Sequence, residues 1–238
     1  MRLSKSKINT YLKCPREFKY QYIDEIEVPP NEYMALGNDV HKIAEDYAKR
    51  YGDNPQMDIR YSLDLIAKSL KIDPNDVDIH LDGLASFFRK AFVENDYNIF
   101  SQEEYLTEDE HNFTGITDII LETPEGDLIV IDYKTGSSSS FSRCRRELGY
   151  YKMLVENVYP DKNVVSAGIF FTKDNKLRLL DFEDKENKRK YICQKEIDDG
   201  LDILYEVRLK INNGDFPKKD QYLCRFCTYN EICMKDNE

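Results

Sequence analysis

Tryptophan is missing from this 238-residue chain, and no apolar run approaches the length needed to span a bilayer. The opening MRLSKSKINTY is basic and mixed in polarity, without the apolar centre of a signal peptide, so a cytoplasmic protein with no membrane contact is expected. No internal repeat is visible, which suits one α/β domain with an appendage, or at most two small domains. Positive charge is also short: the formal net charge is −11, which argues against bulk attraction to nucleic acid. A local basic track is compatible with that balance, and an acidic metal site would itself add negative charge for a cation to offset. Nor does the chain look like a secreted disulfide framework, because its 6 cysteines sit at spacings closer to those of thiolate ligands. What it has in quantity is tyrosine and phenylalanine, 17 and 12 residues, which with its aliphatic residues suffice for a real core.

The most informative stretch is Gly115–Gly136, GITDIILETPEGDLIVIDYKTG. Apolar runs Ile116–Leu121 and Leu128–Tyr133 flank the turn signal Pro124-Glu125-Gly126-Asp127, the pattern of a β-hairpin. Asp118 falls in the first strand, while Asp132 and Lys134 end the second, two apart and so pointing the same way. A carboxylate among isoleucines is costly to bury alone and tolerable beside a cation. Two carboxylates and an ammonium on neighbouring strands can hold a hard divalent ion and position a water beside it. The stretch equally allows both carboxylates to lie on solvated faces, with Lys134 as a strand-end charge.

Upstream, Ser4–Ile23 reads as a helix capped by Ser4 or Ser6 and interrupted at Cys14-Pro15. Pro29–Asn31 reads as a loop, and Ala35–Tyr51 as a second helix on which Gly37 and His41 share a side. His41 is a structural histidine or a ligand, depending on whether that helix packs against the Asp132 strand. Ile59–Leu70 and Asp78–Tyr97 read as scaffold helices. Glu103–Thr107 and Asn112–Gly115 begin the strand region, with Glu103 or Glu104 a weaker candidate for the site.

After Lys134, the serine run reads as a mobile polar loop leading into Arg143, Arg145 and Arg146. Arginines at the start of the expected helix Arg145–Val158 oppose its dipole, which suits an anionic partner such as phosphate or a solvated face. Strands Val164–Thr172 and Lys176–Phe182 follow. A helix Glu186–Asn212 comes next, with Ile192, Ile197, Leu201, Leu204, Val207 and Ile211 as its apolar stripe and Gly214 and Pro217 ending it. Near the C-terminus, Cys224, Cys227 and Cys233 form C-x2-C-x5-C, three legs of a tetrahedral thiolate site. Cys14, Cys144 or Cys193 could supply the fourth, Cys14 being favoured because a helix break lets its side chain be redirected. Four thiolates suit an iron–sulfur cluster or a zinc ion, and spacing does not separate the two.

With these residues in view, the sequence resembles the RecB-type branch of the PD-(D/E)xK nuclease superfamily. Its layout is similar to the four-cysteine iron–sulfur exonucleases, which include the CRISPR-associated four-cysteine nuclease and AddB-type nuclease domains. The likeness runs from SKINTYLKCPREFKYQYI through GNDVH, GITD, IDYKTG and ELGYY to the C-x2-C-x5-C tail. It implies a restriction-endonuclease-like α/β fold, a mixed sheet flanked by helices. Residues 1–34 and 214–238 would form an iron–sulfur staple, 35–100 a helical region, and 101–213 the nuclease core. It further implies Mg2+ or Mn2+ ligated by His41, Asp118 and Asp132, with help from the Tyr133 carbonyl. Lys134 would orient or deprotonate the attacking water and steady charge on the phosphate. Tyr151 falls at the tyrosine of the family's Q-x-x-x-Y box, while Glu147 replaces the glutamine, a departure that adds negative charge. Cys14, Cys224, Cys227 and Cys233 would hold a [4Fe–4S] cluster, with Zn2+ the alternative. Cys144 and Cys193 match no family position.

The function implied is a metal-dependent deoxyribonuclease acting on single-stranded DNA or duplex ends. The arginine group and serine loop would contact the backbone, and Tyr150 or Phe141 would stack on bases. A helicase, or recombination or CRISPR adaptation proteins, would be its partners. A non-catalytic DNA-end-binding or helicase-docking module on the same fold is the alternative.

Overall fold

Ser4 closes a two-residue strand, β1 (Leu3–Ser4), and caps the helix that follows, α1 (Lys5–Lys13), by accepting from the Lys7 amide at 3.3 Å. The chain then turns extended at Cys14, and Pro15 opens α2 (Pro15–Tyr22) at a position where a missing amide costs nothing. A computed structural model of the chain describes residues 1–29, 32–52, 55, 58–182, 189–219 and 222–236, without the side chains of 32, 33, 143, 146, 189–197 and 223. The remaining helices are α3 (Glu32–Tyr51), α4 (Ile59–Ser69), α5 (Pro74–Phe88), α6 (Phe141–Cys144), α7 (Arg146–Val158), α8 (Arg189–Asn212) and α9 (Asn230–Lys235). The remaining strands are β2 (Asn98–Glu108), β3 (Phe113–Glu122), β4 (Leu128–Lys134), β5 (Val164–Phe171) and β6 (Lys176–Asp181).

These strands make one mixed 6-stranded sheet, ordered β1-β3-β4-β5-β6 with β2 also on β3. β3 and β4 pair antiparallel as the expected hairpin, and its turn places Gly126 at φ +89°, a conformation that suits glycine. β4 and β5 are parallel, so the chain must cross over between them, and α6 and α7 supply that crossover. Alternation along the strands divides the core. Ile119, Leu121, Ile129, Ile131 and Tyr133 face α3, α4 and α5; Ile120, Val130, Ala167, Ile169 and Phe171 face α1, α7 and α8. A sheet covered on both faces explains why both hairpin strands read as unbroken apolar runs.

Several expectations are corrected here. α5 begins at Pro74 rather than Asp78, because Asp73 caps it and proline suits its first turn. Its end runs into a π-helical turn, Arg89–Glu94, and the chain is already a strand by Asn98. The serine run is not a free loop. Ser138–Ser140 form a 3₁₀ turn, and Asp174 accepts from the Ser138 amide at 2.7 Å and the Ser137 hydroxyl at 3.3 Å. The Pro30-Asn31 part of the expected loop and the start of the last long helix before Arg189 lie outside the described residues. The side chains of Ile192 and Ile197 in that helix's stripe lie outside them too.

Candidate active site

The site opens where the hairpin ladder stops. β3 and β4 stay in register from Glu122↔Leu128 to Ile119↔Ile131, and one further step brings Asp118 opposite Asp132. There the Tyr133 amide donates to Asp118 Oδ2 at 2.6 Å, so a side chain satisfies the backbone group that the ladder releases. β1 pairs with Phe113 and Thr114, β4 with Ile119–Glu122, and both lie on the edge of β3 opposite β2. Between them the Gly115–Asp118 edge has no strand partner among the described residues, and this gap becomes the cleft. A Cβ on Gly115 would lie 2.8 Å from Leu154 Cδ1, so α7 packs close to the glycine of GITD. The resulting cavity measures about 570 Å³ and is lined by Lys5, His41, Glu103, Asp118, Asp132 and Lys134 among others.

Asp132 is only 2% exposed and is the hub of the cleft. Its Oδ1 accepts from Lys5 Nζ and from the Tyr151 hydroxyl, each at 2.6 Å. Lys134 Nζ lies 2.5 Å from Oδ2, a close ion pair at a buried carboxylate. Burial opposes ionisation of Asp132, yet the Lys134 and Lys5 ammonium groups outweigh it and hold the carboxyl far below the ordinary range. Lys134 is affected in the mirror sense: burial disfavours its charge, but Asp132 more than restores it, and its pKa is raised. In this arrangement Lys134 is an ammonium rather than a base.

His41 reaches the same point from α3. Its Nε2 lies 3.0 Å from the Tyr133 carbonyl oxygen and its Nδ1 lies 3.5 Å from Asp118 Oδ2. Burial disfavours the imidazolium, while the bond and charge of Asp118 favour it more, so its pKa is raised. Glu103 completes the group: one ligand atom each from His41, Glu103 and Asp118 lie within 4.8 Å of one another. The register Gln102↔Ile119 and Glu104↔Thr117 puts Glu103 opposite Asp118, on the same face. Burial pushes the Glu103 carboxyl up to about 7, with the charge of Asp118 adding to it. Glu104 instead hydrogen-bonds the Tyr159 hydroxyl away from the site.

Glu147 accepts from Asn9 Nδ2 at 2.9 Å and lies 3.3 Å from Lys5 and 4.0 Å from Lys134. Its negative charge is thereby offset by two lysines. Tyr151 touches the chemistry only through Asp132 and Lys5.

Other expected residues are not brought in. Tyr150 is buried at 4% exposure, packs on Phe113 and donates to the Gly200 carbonyl at 2.7 Å, so it cannot stack on a substrate base. Phe141 packs against the α7 side of the core. Arg145 is half-buried, and the side chains of Arg143 and Arg146 lie outside the described residues.

At the far end of α1, Cys14, Cys224, Cys227 and Cys233 line one cavity of about 70 Å³. Cys144 lies against the α7 core instead, and the Cys193 side chain is outside the described residues. Hydrogen bonds join the same segments, from the Tyr11 hydroxyl to the Asp215 carbonyl at 2.5 Å and from Tyr229 to the Ile26 carbonyl at 3.1 Å.

Lys5 is the residue that sequence reasoning missed, and Glu103 the one it undervalued. Lys5 lies in a helix start whose polar pattern has no apolar signal, and its partners come 127 and more residues later. Glu103 could have been found by counting back from Asp118 across the antiparallel partner strand.

Residues 2–234 match the PD-(D/E)XK nuclease superfamily. Among solved structures, the chain is similar to a crystal structure described as "Putative exonuclease" from Eubacterium rectale. The TM-score is 0.54 at 12% identity, over 96% of this chain and 87% of that one, a likeness of fold. A search of the curated proteins found no match.

Proposed function

The chain belongs to the PD-(D/E)XK nuclease superfamily, and from that premise we propose a divalent-metal-dependent deoxyribonuclease that hydrolyses phosphodiester bonds in single-stranded DNA or at duplex ends. The observation that carries this reading is the group His41, Glu103 and Asp118, whose ligand atoms lie within 4.8 Å of one another, in the same cavity as Asp132 and Lys134. An imidazole and two carboxylates so placed suit a divalent cation. Asp118, Asp132, His41 and the Tyr133 carbonyl would hold Mg2+ or Mn2+, with Glu103 as a further carboxylate. When bound, that ion polarises a phosphodiester oxygen and lowers the pKa of a water.

The chain's own groups do the rest. Lys134, kept charged, neutralises a phosphoryl oxygen as its negative charge grows. Lys5 and the Tyr151 hydroxyl fix Asp132 Oδ1, so that its Oδ2 faces Lys134. Glu147 anchors Lys5 and takes no part in bond making.

At the other end of α1, Cys14, Cys224, Cys227 and Cys233 would hold a [4Fe–4S] cluster that staples residues 1–34 to 214–238. Zn2+ is the alternative for the same four sulfurs. The four-cysteine layout of the RecB-type exonucleases supports recombination, repair or CRISPR adaptation as the setting, with a helicase as partner.

The test is incubation of strands labelled at either end with Mg2+ or Mn2+, against chelator, for wild type and Lys134→Ala. Metal-dependent cleavage that Lys134→Ala loses is expected. Binding without cleavage in every metal would instead mark a non-catalytic end-binding module.

A further inference from the structure

One pair of side chains in the cleft has no part in metal binding or in the core. Tyr105 on β2 and Ile116 on β3 are cross-strand partners, 62% and 50% exposed. Both line the cavity that holds Asp118, Asp132 and Lys134. Register fixes where they stand. Glu103 and Asp118 form the adjacent pair on the same face, two residues along each strand, or about 6.8 Å at ~3.4 Å per residue. That distance is about two stacked-nucleotide rises of ~3.4 Å. The facing wall comes from the first turns of α1, with Ser4, Ser6 and Lys7; Lys7 Nζ is steered by the Arg2 carbonyl at 3.0 Å.

An aromatic and a branched aliphatic side chain left open side by side expose apolar surface that strands usually cover. The charge of the cleft limits what could cover it. Glu103, Asp118 and Asp132 offset Lys5, Lys7 and Lys134 in this cavity and the chain carries −11 overall, so attraction to phosphates does not by itself supply the affinity for a nucleic acid. A neutral flat face can. In a duplex the base faces are stacked on one another; in a single strand they are free.

We infer that Tyr105 and Ile116 form a subsite for an unpaired nucleobase, one or two nucleotides from the scissile phosphate, and that this subsite makes the cleft select single strands. The inference rests on the nuclease reading and deepens it. Tyr105 offers its ring face, Ile116 packs beside it, and neither reads base identity, so selection is for strandedness rather than sequence.

The experiment measures binding of a fluorescein-labelled oligothymidylate in chelator, where nothing is cut, for wild type, Tyr105→Ala, Tyr105→Phe and Ile116→Ala. An abasic strand of the same length and the matching duplex serve as further probes. Thermal melting confirms that each variant is folded. Expected is a loss of about tenfold in single-strand affinity for Tyr105→Ala, in line with stacking contacts elsewhere. Tyr105→Phe stays near wild type, and the abasic strand binds wild type as weakly as the normal strand binds Tyr105→Ala. A folded Tyr105→Ala protein that holds the oligothymidylate as tightly as wild type overturns the subsite, as does equal wild-type affinity for abasic and normal strands. Cleavage with Mn2+ is read separately. Cutting that ignores Tyr105 sinks only the subsite, while base-dependent binding without any cutting sinks only the nuclease reading.

Discussion

Lys5 Nζ donates to Asp132 Oδ1 at 2.6 Å, joining the first residue of α1 to the end of β4 across 127 residues of chain. The same ammonium bonds the Tyr151 hydroxyl and faces Glu147. It therefore both fixes the carboxylate and competes with a cation for its charge.

Replacing it should separate those two effects. Lys5→Met is expected to lower stability by about 1–3 kcal/mol, the cost of removing a charged hydrogen bond to a buried group. Divalent-ion affinity should rise by up to about a thousandfold, because unit charges about 4 Å apart interact by ~4 kcal/mol even at an effective dielectric of ~20. Chemical denaturation and calorimetric titration with Mn2+ check both. Unchanged stability and unchanged affinity together would remove Lys5 from the site.

Lys134→Ala should cut the rate of cleavage by about 10²–10⁴-fold while the protein stays folded, since Lys5 still neutralises Asp132. Single-turnover assays at saturating metal give the figure. A wild-type rate would refute the role given to this ammonium.

Glu103 makes stability depend on pH. Its folded carboxyl sits near 7, against an ordinary 4.5, so the folded chain keeps a proton that the unfolded chain releases. Its contribution in metal-free protein is therefore present at low pH and lost as pH rises from about 4.5 to 7. Melting curves in chelator should show that decline, and Glu103→Gln should flatten it. His41, also raised, must lose a proton to ligate, so Mn2+ affinity should climb with pH. Identical melting slopes for wild type and Glu103→Gln would count against this.

Glu147→Gln tests the departure from the family pattern. The amide can keep the Asn9 contact but frees Lys5 and Lys134 of one negative neighbour. We expect cleavage within about tenfold of wild type and tighter strand binding, as removal of a charge near phosphate requires. Glu147→Ala, which loses the anchor as well, should be slower. Loss of all activity in the glutamine variant would show that the carboxylate itself is needed.

Cys14 ends α1 and Lys5 begins it, 9 residues or about 13 Å apart at ~1.5 Å per residue. Cys14→Ala and Cys227→Ala, purified without air, should lose brown colour, melt at lower temperature and cleave more slowly, because a loosened α1 no longer fixes Lys5. Full colour and full thermal stability in both variants would dispose of the staple.

Much of the candidate site was legible because its signals are short-range. GITD and IDYKTG each place a charge at a strand position whose neighbours are apolar, and the turn between them fixes which residues pair. The break at Cys14-Pro15 is legible for the same reason, since proline constrains its own backbone and that of the residue before it. Tyr150 shows where such reading stops. Nothing local separates it from Tyr151, yet one residue of rotation turns it toward Gly200 and leaves its neighbour on Asp132.

By itself, then, the sequence determined the hairpin, the pairing of acids with a lysine at its end, and the set of thiols near both termini, all consequences of periodicity and backbone stereochemistry over a few residues. Only the tertiary structure decided that Lys5 completes the acid cluster, that Glu103 stands opposite Asp118, and that Tyr105 is exposed at the cleft while Tyr150 is buried. Those outcomes depend on which distant element covers a given face, and that is settled when two layers pack on one sheet.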